Sequence, residues 1–157
     1  MKRIARIALL ATVLALVLAA LCACSSSTSY TFKVATGDDV EVKLDTSDGL
    51  DLEAGSEDYD FTVVQDGEEL LNGSFIYASG VNDVIEQLES SGFTVQNHVE
   101  VEGASGDLYA YVPVTGPEQD VIVLLVNESS TGVVLESTEA EVDPIGVALL
   151  LSFSLDE

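Results

Sequence analysis

Two thiols, one imidazole and 28 carboxylates are the groups in this 157-residue chain that could do chemistry. The carboxylates recur from Asp38 to Glu157, so no pair stands out as a general acid with its partner. His98 is the only histidine, and any His-dependent mechanism or zinc site would have to use it. Strand parity places it on a polar face beside Gln96 and Glu100, opposite Phe93, Val95, Asn97, Val99 and Val101. A serine nucleophile on a sharp elbow needs the form Gly-x-Ser-x-Gly, which does not occur; Gly103-Ala104-Ser105-Gly106 reads as a hairpin turn. No glycine-rich stretch has the form of a phosphate loop, and no arginine follows Arg6 to clamp a phosphate. The lack of tryptophan removes the usual platform for stacking a sugar. These residues define no catalytic centre, no cofactor and no metal site, and an enzyme is not expected.

The thiols close an apolar segment. Lys2, Arg3 and Arg6 precede the fifteen-residue run from Ile7 to Leu21, after which come Cys22, Ala23, Cys24 and the polar Ser25-Ser26-Ser27-Thr28-Ser29. A basic start and a short apolar core make an export signal. A spanning helix needs about 20 apolar residues, more than the 18 from Ile7 to Cys24. With leucine three places before Cys24 and alanine immediately before it, the segment resembles the signal peptide of bacterial lipoproteins. Cys22 fits the modified position less well, because Leu21 would occupy the site that needs a small side chain. Cys22 also departs from the Ala, Ser, Thr or Val more usual just before Ala23, at a tolerant position.

The resemblance implies that the Cys24 thiol takes a diacylglyceryl group, that the chain is cut before it, and that the new amine is acylated, palmitate being a typical chain. It further implies a lipid anchor holding the protein outside the cytoplasm, on the outer face of the cell membrane or, as Ser25 permits, on the outer membrane. The expected organisation is a signal peptide over 1–23, a Ser-rich tether over 24–29 and one acidic domain over 30–157. Removing 23 residues from 157 leaves 134, the size of one ordinary domain.

All 28 acids lie in that mature chain with only Lys33 and Lys43, a side-chain charge of −26. Nucleic acid is excluded as a partner, since binding it rests on Lys and Arg neutralising phosphates. Anionic lipid would repel the domain, leaving the acyl chains on Cys24 as its contact with the membrane. The charge makes a solvated surface first, and could also serve a basic protein partner or divalent cations. No cysteine follows Cys24, so no disulfide can form within the domain and a dry core must hold it together.

The elements follow from periodicity. Alternation predicts strands around Phe32 and Val34, Val40 to Asp45, Leu50 to Glu53, Phe61 and Val63, and Leu70 to Tyr77. Asp66-Gly67 should supply the two positive-φ residues of a type I′ hairpin turn. Val81, Val84, Ile85 and Leu88 share one helix face, with Ser79 as N-cap and Gly92 past its end. Strands follow from Phe93 to Glu102, Leu108 to Val114 and Gly132 to Ser137. Val121 to Val126 is apolar on both faces and reads as the central strand. Near the end, Thr138-Glu139-Ala140-Glu141 looks like a capping box, but Pro144 would then fall too deep in the helix. Asp143 as N-cap with Pro144 at the first helical position predicts a short helix to Leu151, then a last strand through Phe153 and Leu155.

The order is α+β: a mainly antiparallel sheet of about seven to nine strands with two short helices. It is similar to the Mog1/PsbP-like sandwich. Through Asp45-Thr46-Ser47-Asp48-Gly49, the Asp66-Gly67 turn, Thr131-Gly132-Val133-Val134-Leu135 and Leu151-Ser152-Phe153-Ser154, the chain also resembles small acidic, uncharacterised cell-envelope lipoproteins. That resemblance implies no activity.

Two clusters remain. Asp45, Asp48, Asp51 and Glu53 around Gly49 suggest a calcium loop, yet Ser47 and Gly49 stand at the third and fifth places, where the EF-hand needs ligands. A tight hairpin turn is the expectation there. Tyr109 and Tyr111 share a face opposite Leu108, Ala110 and Val112, as a recognition surface or, preferably, as packing beneath a helix. The functional expectation is a tethered, non-catalytic binding or accessory module of the cell envelope; the alternative is a low-affinity divalent-cation-binding or structural surface protein.

Overall fold

The computed structural model describes residues 26–55, 59–138 and 143–156. The signal segment, Cys24 and most of the stretch that resembles a capping box lie outside the described residues. Ten strands are described: β1 (Ser27–Lys33), β2 (Asp39–Asp45), β3 (Leu50–Ala54), β4 (Asp60–Gln65), β5 (Glu68–Tyr77), β6 (Thr94–Val101), β7 (Ala104–Tyr111), β8 (Gln119–Val126), β9 (Thr131–Ser137) and β10 (Leu151–Leu155). Helix α1 (Val81–Ser90) follows the fifth strand and helix α2 (Pro144–Ala148) precedes the last. The strands form a three-stranded sheet, β1-β2-β10, and a seven-stranded sheet, β3-β4-β5-β9-β8-β7-β6, antiparallel at every pairing. The fold is the expected α+β sandwich, its strands divided between two sheets.

The alternation in the sequence builds the space between the sheets. Val40, Val42 and Leu44 leave one face of β2, and Phe32, Leu151 and Phe153 join them from β1 and β10. Leu52, Phe61, Leu71, Ile122, Leu124 and Leu135 face them from the large sheet, all nearly inaccessible to water. Phe61 sits where the layers meet, with ring centroids 5.8 Å from Phe32, 5.6 Å from Phe75 and 6.5 Å from Phe153. A second, smaller core lies on the other face of the large sheet, where Val81, Val84, Ile85 and Leu88 of α1 pack on Tyr109, Val121, Val123 and Val134. β8 is therefore covered on both faces as expected, one place from the middle of its sheet. Gly132 lets α1 approach this closely: a β-carbon there would stand 2.7 Å from Val81 Cγ2.

The Asp66-Gly67 turn has φ of 53° and 85°, as a type I′ hairpin requires. Several expectations are corrected. The tether is shorter than 24–29, because Ser27, Thr28 and Ser29 pair with Asp45, Leu44 and Lys43 in β1. Pairing to β2 satisfies their backbone groups, whatever their polarity. The turn at Asp45–Gly49 is a corner rather than a hairpin, since β2 and β3 belong to different sheets. The turn after β6 needs only Glu102 and Gly103 (φ 81°), so Ala104, Ser105 and Gly106 run in β7. β7 stops at Tyr111 rather than Val114, just ahead of Pro113, which cannot donate to a ladder. Gly80, not Ser79, is the N-cap of α1, because a short 3₁₀ turn over Ala78–Gly80 precedes it. Asp143 and Pro144 begin α2 as expected, but it ends at Ala148 and Leu151 starts β10 opposite Leu44.

A polar pin joins the two sheets at one end. Asp38 Oδ2 accepts hydrogen bonds from Ser130 N (3.0 Å), Thr131 Oγ1 (2.8 Å) and Thr36 Oγ1 (3.3 Å). These bonds, led by that from the fully buried Thr131, hold the Asp38 carboxyl below its ordinary range.

Candidate functional site

His98 lies on β6, an edge strand, and is exposed. Its Nδ1 is 3.0 Å from Asp107 Oδ1 on β7, and its Nε2 is 3.8 Å from Glu100 Oε1. Register brings this about, because His98 and Asp107 are directly paired across the two strands. The hydrogen bond to Asp107 raises the imidazole pKa, with the Asp107 and Glu100 charges adding to it. Both nitrogens thus face carboxylates, an arrangement that stabilises a charged imidazolium. Sequence parity located the wet face but not Asp107, whose approach depends on the β6–β7 register and its bulge between Val95 and Asn97.

Among the acids around Gly49, Asp45 Oδ1 accepts a hydrogen bond from Ser47 N (2.9 Å) and Asp51 Oδ1 accepts from Leu52 N (2.9 Å) and Thr28 Oγ1 (3.2 Å). Their oxygens serve the corner itself. Among the described residues, no group of three or more His, Cys, Asp or Glu side chains is placed to hold a metal ion. Tyr109 is buried beneath α1, where desolvation raises its phenol pKa. Tyr111 is half-buried, its ring 5.5 Å from that of Phe93. The tyrosines serve packing.

The feature with room for a ligand lies on the outer face of the large sheet. A seven-stranded sheet is about 29 Å across at about 4.8 Å per strand. A ten-residue helix is about 15 Å long and 10 Å wide. α1 therefore leaves part of that face open. Beside the end of α1, a cavity of ≈ 440 Å³ is floored by Leu88, Phe93, Val121 and Val134. An adjoining cavity of ≈ 400 Å³ shares Leu88, Phe93, Val121 and Glu136 with it and adds Glu118 and Asp120. Asp120 is half-buried, and its carboxyl pKa is raised, chiefly by desolvation and further by the charges of Glu118 and Asp143. Sequence reasoning missed this groove, because the strand register and layer geometry that open it are not carried by composition.

No protein-family model, curated protein sequence or solved structure matches this chain.

Proposed function

We propose that the protein is a membrane-anchored extracytoplasmic lipoprotein whose folded domain acts as a non-catalytic binding or accessory module of the cell envelope. The observation that carries this reading is Leu21-Cys22-Ala23-Cys24 at the end of a basic and then apolar leader. Paired structure begins at Ser27, three residues after Cys24. At about 3.5 Å per residue, no more than about 10 Å of chain separates the lipid-bearing Cys24 from the sheet. Such a domain sits against the membrane surface, and its charge of −26 keeps it off anionic headgroups. The reading assigns anchoring to Cys24; among the described residues, which begin at Ser26, no helix is long and apolar enough to cross a membrane. A non-catalytic role is supported by His98, which is held between two carboxylates. Cys24→Ser tests the anchor: the variant is expected to leave the membrane fraction or to accumulate as uncut precursor. A variant that is cut as the wild type is and still stays wholly in the membrane fraction would refute it.

The same charge supports a second reading, a low-affinity divalent-cation-binding or structural surface protein. It is weaker because the acids are dispersed. A calcium-selective, saturating rise in melting temperature at fixed high salt would put it first.

A further inference from the structure

We infer that the groove beside α1 is a docking site for a basic, amphipathic peptide segment, lysine or arginine side chains meeting its acidic rim and an apolar side chain entering its floor. The inference rests on the binding-module reading above and supplies the surface and the partner chemistry that it lacks.

Three observations converge on it. The floor is apolar and open: Leu88, Phe93 and Val134 are only half-buried, although they pack against the second core. The rim carries one sign of charge, from Glu118, Asp120 and Glu136, with no lysine, arginine or histidine among the lining residues. Lys33, Lys43 and His98, the basic side chains of the described residues, all lie elsewhere. Finally, Asp120 is partly desolvated and feels the like charges of Glu118 and Asp143, a situation that an incoming cation relieves. A second copy of the mature chain, with 28 acids and only two lysines, would bring more negative charge to an already anionic rim, so self-association is disfavoured. An apolar floor with an anionic rim matches a segment that alternates basic and apolar side chains.

The test uses the full protein as cells produce it, held in detergent, and three short amidated peptides measured by calorimetry at 0.15 M salt. The first alternates lysine with leucine; the second replaces lysine by glutamate; the third replaces leucine by serine. Only the first should bind, and at least about tenfold more tightly than the third. Glu118→Lys with Glu136→Lys, both at exposed positions, should weaken that binding by about tenfold or more. Glu41→Lys with Asp156→Lys, an equal change of net charge on the three-stranded sheet in the other layer, should leave it within about twofold. Equal weakening by both pairs would reduce the effect to general charge attraction and overturn the site. Equal binding of the serine peptide, a dimer that buries the groove, or a preference for neutral lipid vesicles over the peptide would overturn it too. The broader reading fails separately: it falls if Cys24→Ser is cut as the wild type is and yet stays in the membrane fraction, whatever the peptide does.

Discussion

Phe61 and Gly73 should be energetically inseparable. They face each other directly across β4 and β5, with the Phe61 ring lying over the glycine. A β-carbon at Gly73 would stand 2.2 Å from Phe61 Cζ, so Gly73→Ala must displace a ring that is 1% exposed and hemmed in by Phe32, Phe75 and Phe153. Overpacking of this kind costs about 1–3 kcal/mol. Phe61→Ala removes the ring that touches both sheets and should cost about 3–5 kcal/mol, a large part of the 5–15 kcal/mol that holds an ordinary domain. In the double variant the obstacle is gone. Alanine then fits a strand interior better than glycine by about 0.5–1 kcal/mol and fills part of the void. The double variant should therefore be no less stable than Phe61→Ala alone, giving a favourable coupling of about 2 kcal/mol or more. With no tryptophan in the chain, urea unfolding is best followed by far-ultraviolet circular dichroism. Additive losses within about 0.5 kcal/mol would show that the ring does not occupy the space above Gly73, and the account of how the sheets meet would be wrong.

Asp38→Asn should cost about 1–2 kcal/mol at neutral pH, a charge-assisted estimate reduced because the site is half exposed. Because the folded carboxyl is held below its unfolded value, the stabilisation is complete above about pH 4 and is lost as pH falls through the folded value; the stability gap between wild type and variant should close there. His98 should titrate above the ordinary histidine value by NMR, and Asp107→Asn should bring it down; no change in that variant would discount the Asp107 bond. The domain's melting temperature should rise with NaCl as screening sets in over a Debye length of about 10 Å at 0.1 M, while calcium and magnesium at constant high salt should act alike. A fall with added salt would contradict the self-repulsion argument.

Much of the fold was legible wherever one physical preference acted alone. The alternation of Val40, Val42 and Leu44 specified both a strand and its buried face, and Asp66-Gly67 specified a turn because few residues tolerate positive φ. The apolar run Val121–Val126 announced a strand buried on both sides, and all of it but Leu125 is buried. Failures came where tertiary context decided. Nothing local says that β2 and β3 should part into different sheets, so the corner at Asp45–Gly49 read as a hairpin. The polarity of Ser27 to Ser29 suggested a tether, although edge pairing asks only for backbone groups. The His98–Asp107 contact and the groove beside α1 needed register and layer geometry, which composition does not carry.

The central claim is that Cys24 is the acylated first residue of the working protein. Intact-mass and peptide mass spectrometry of the chain isolated from its native membranes tests it most directly. The account predicts a mature chain that begins at Cys24. Its N-terminal peptide should be heavier than the bare sequence by a thioether-linked diacylglyceryl group and an amide-linked acyl chain, and should keep both on treatment with a disulfide reductant. A chain that begins elsewhere, or begins at Cys24 with a free thiol, would contradict it.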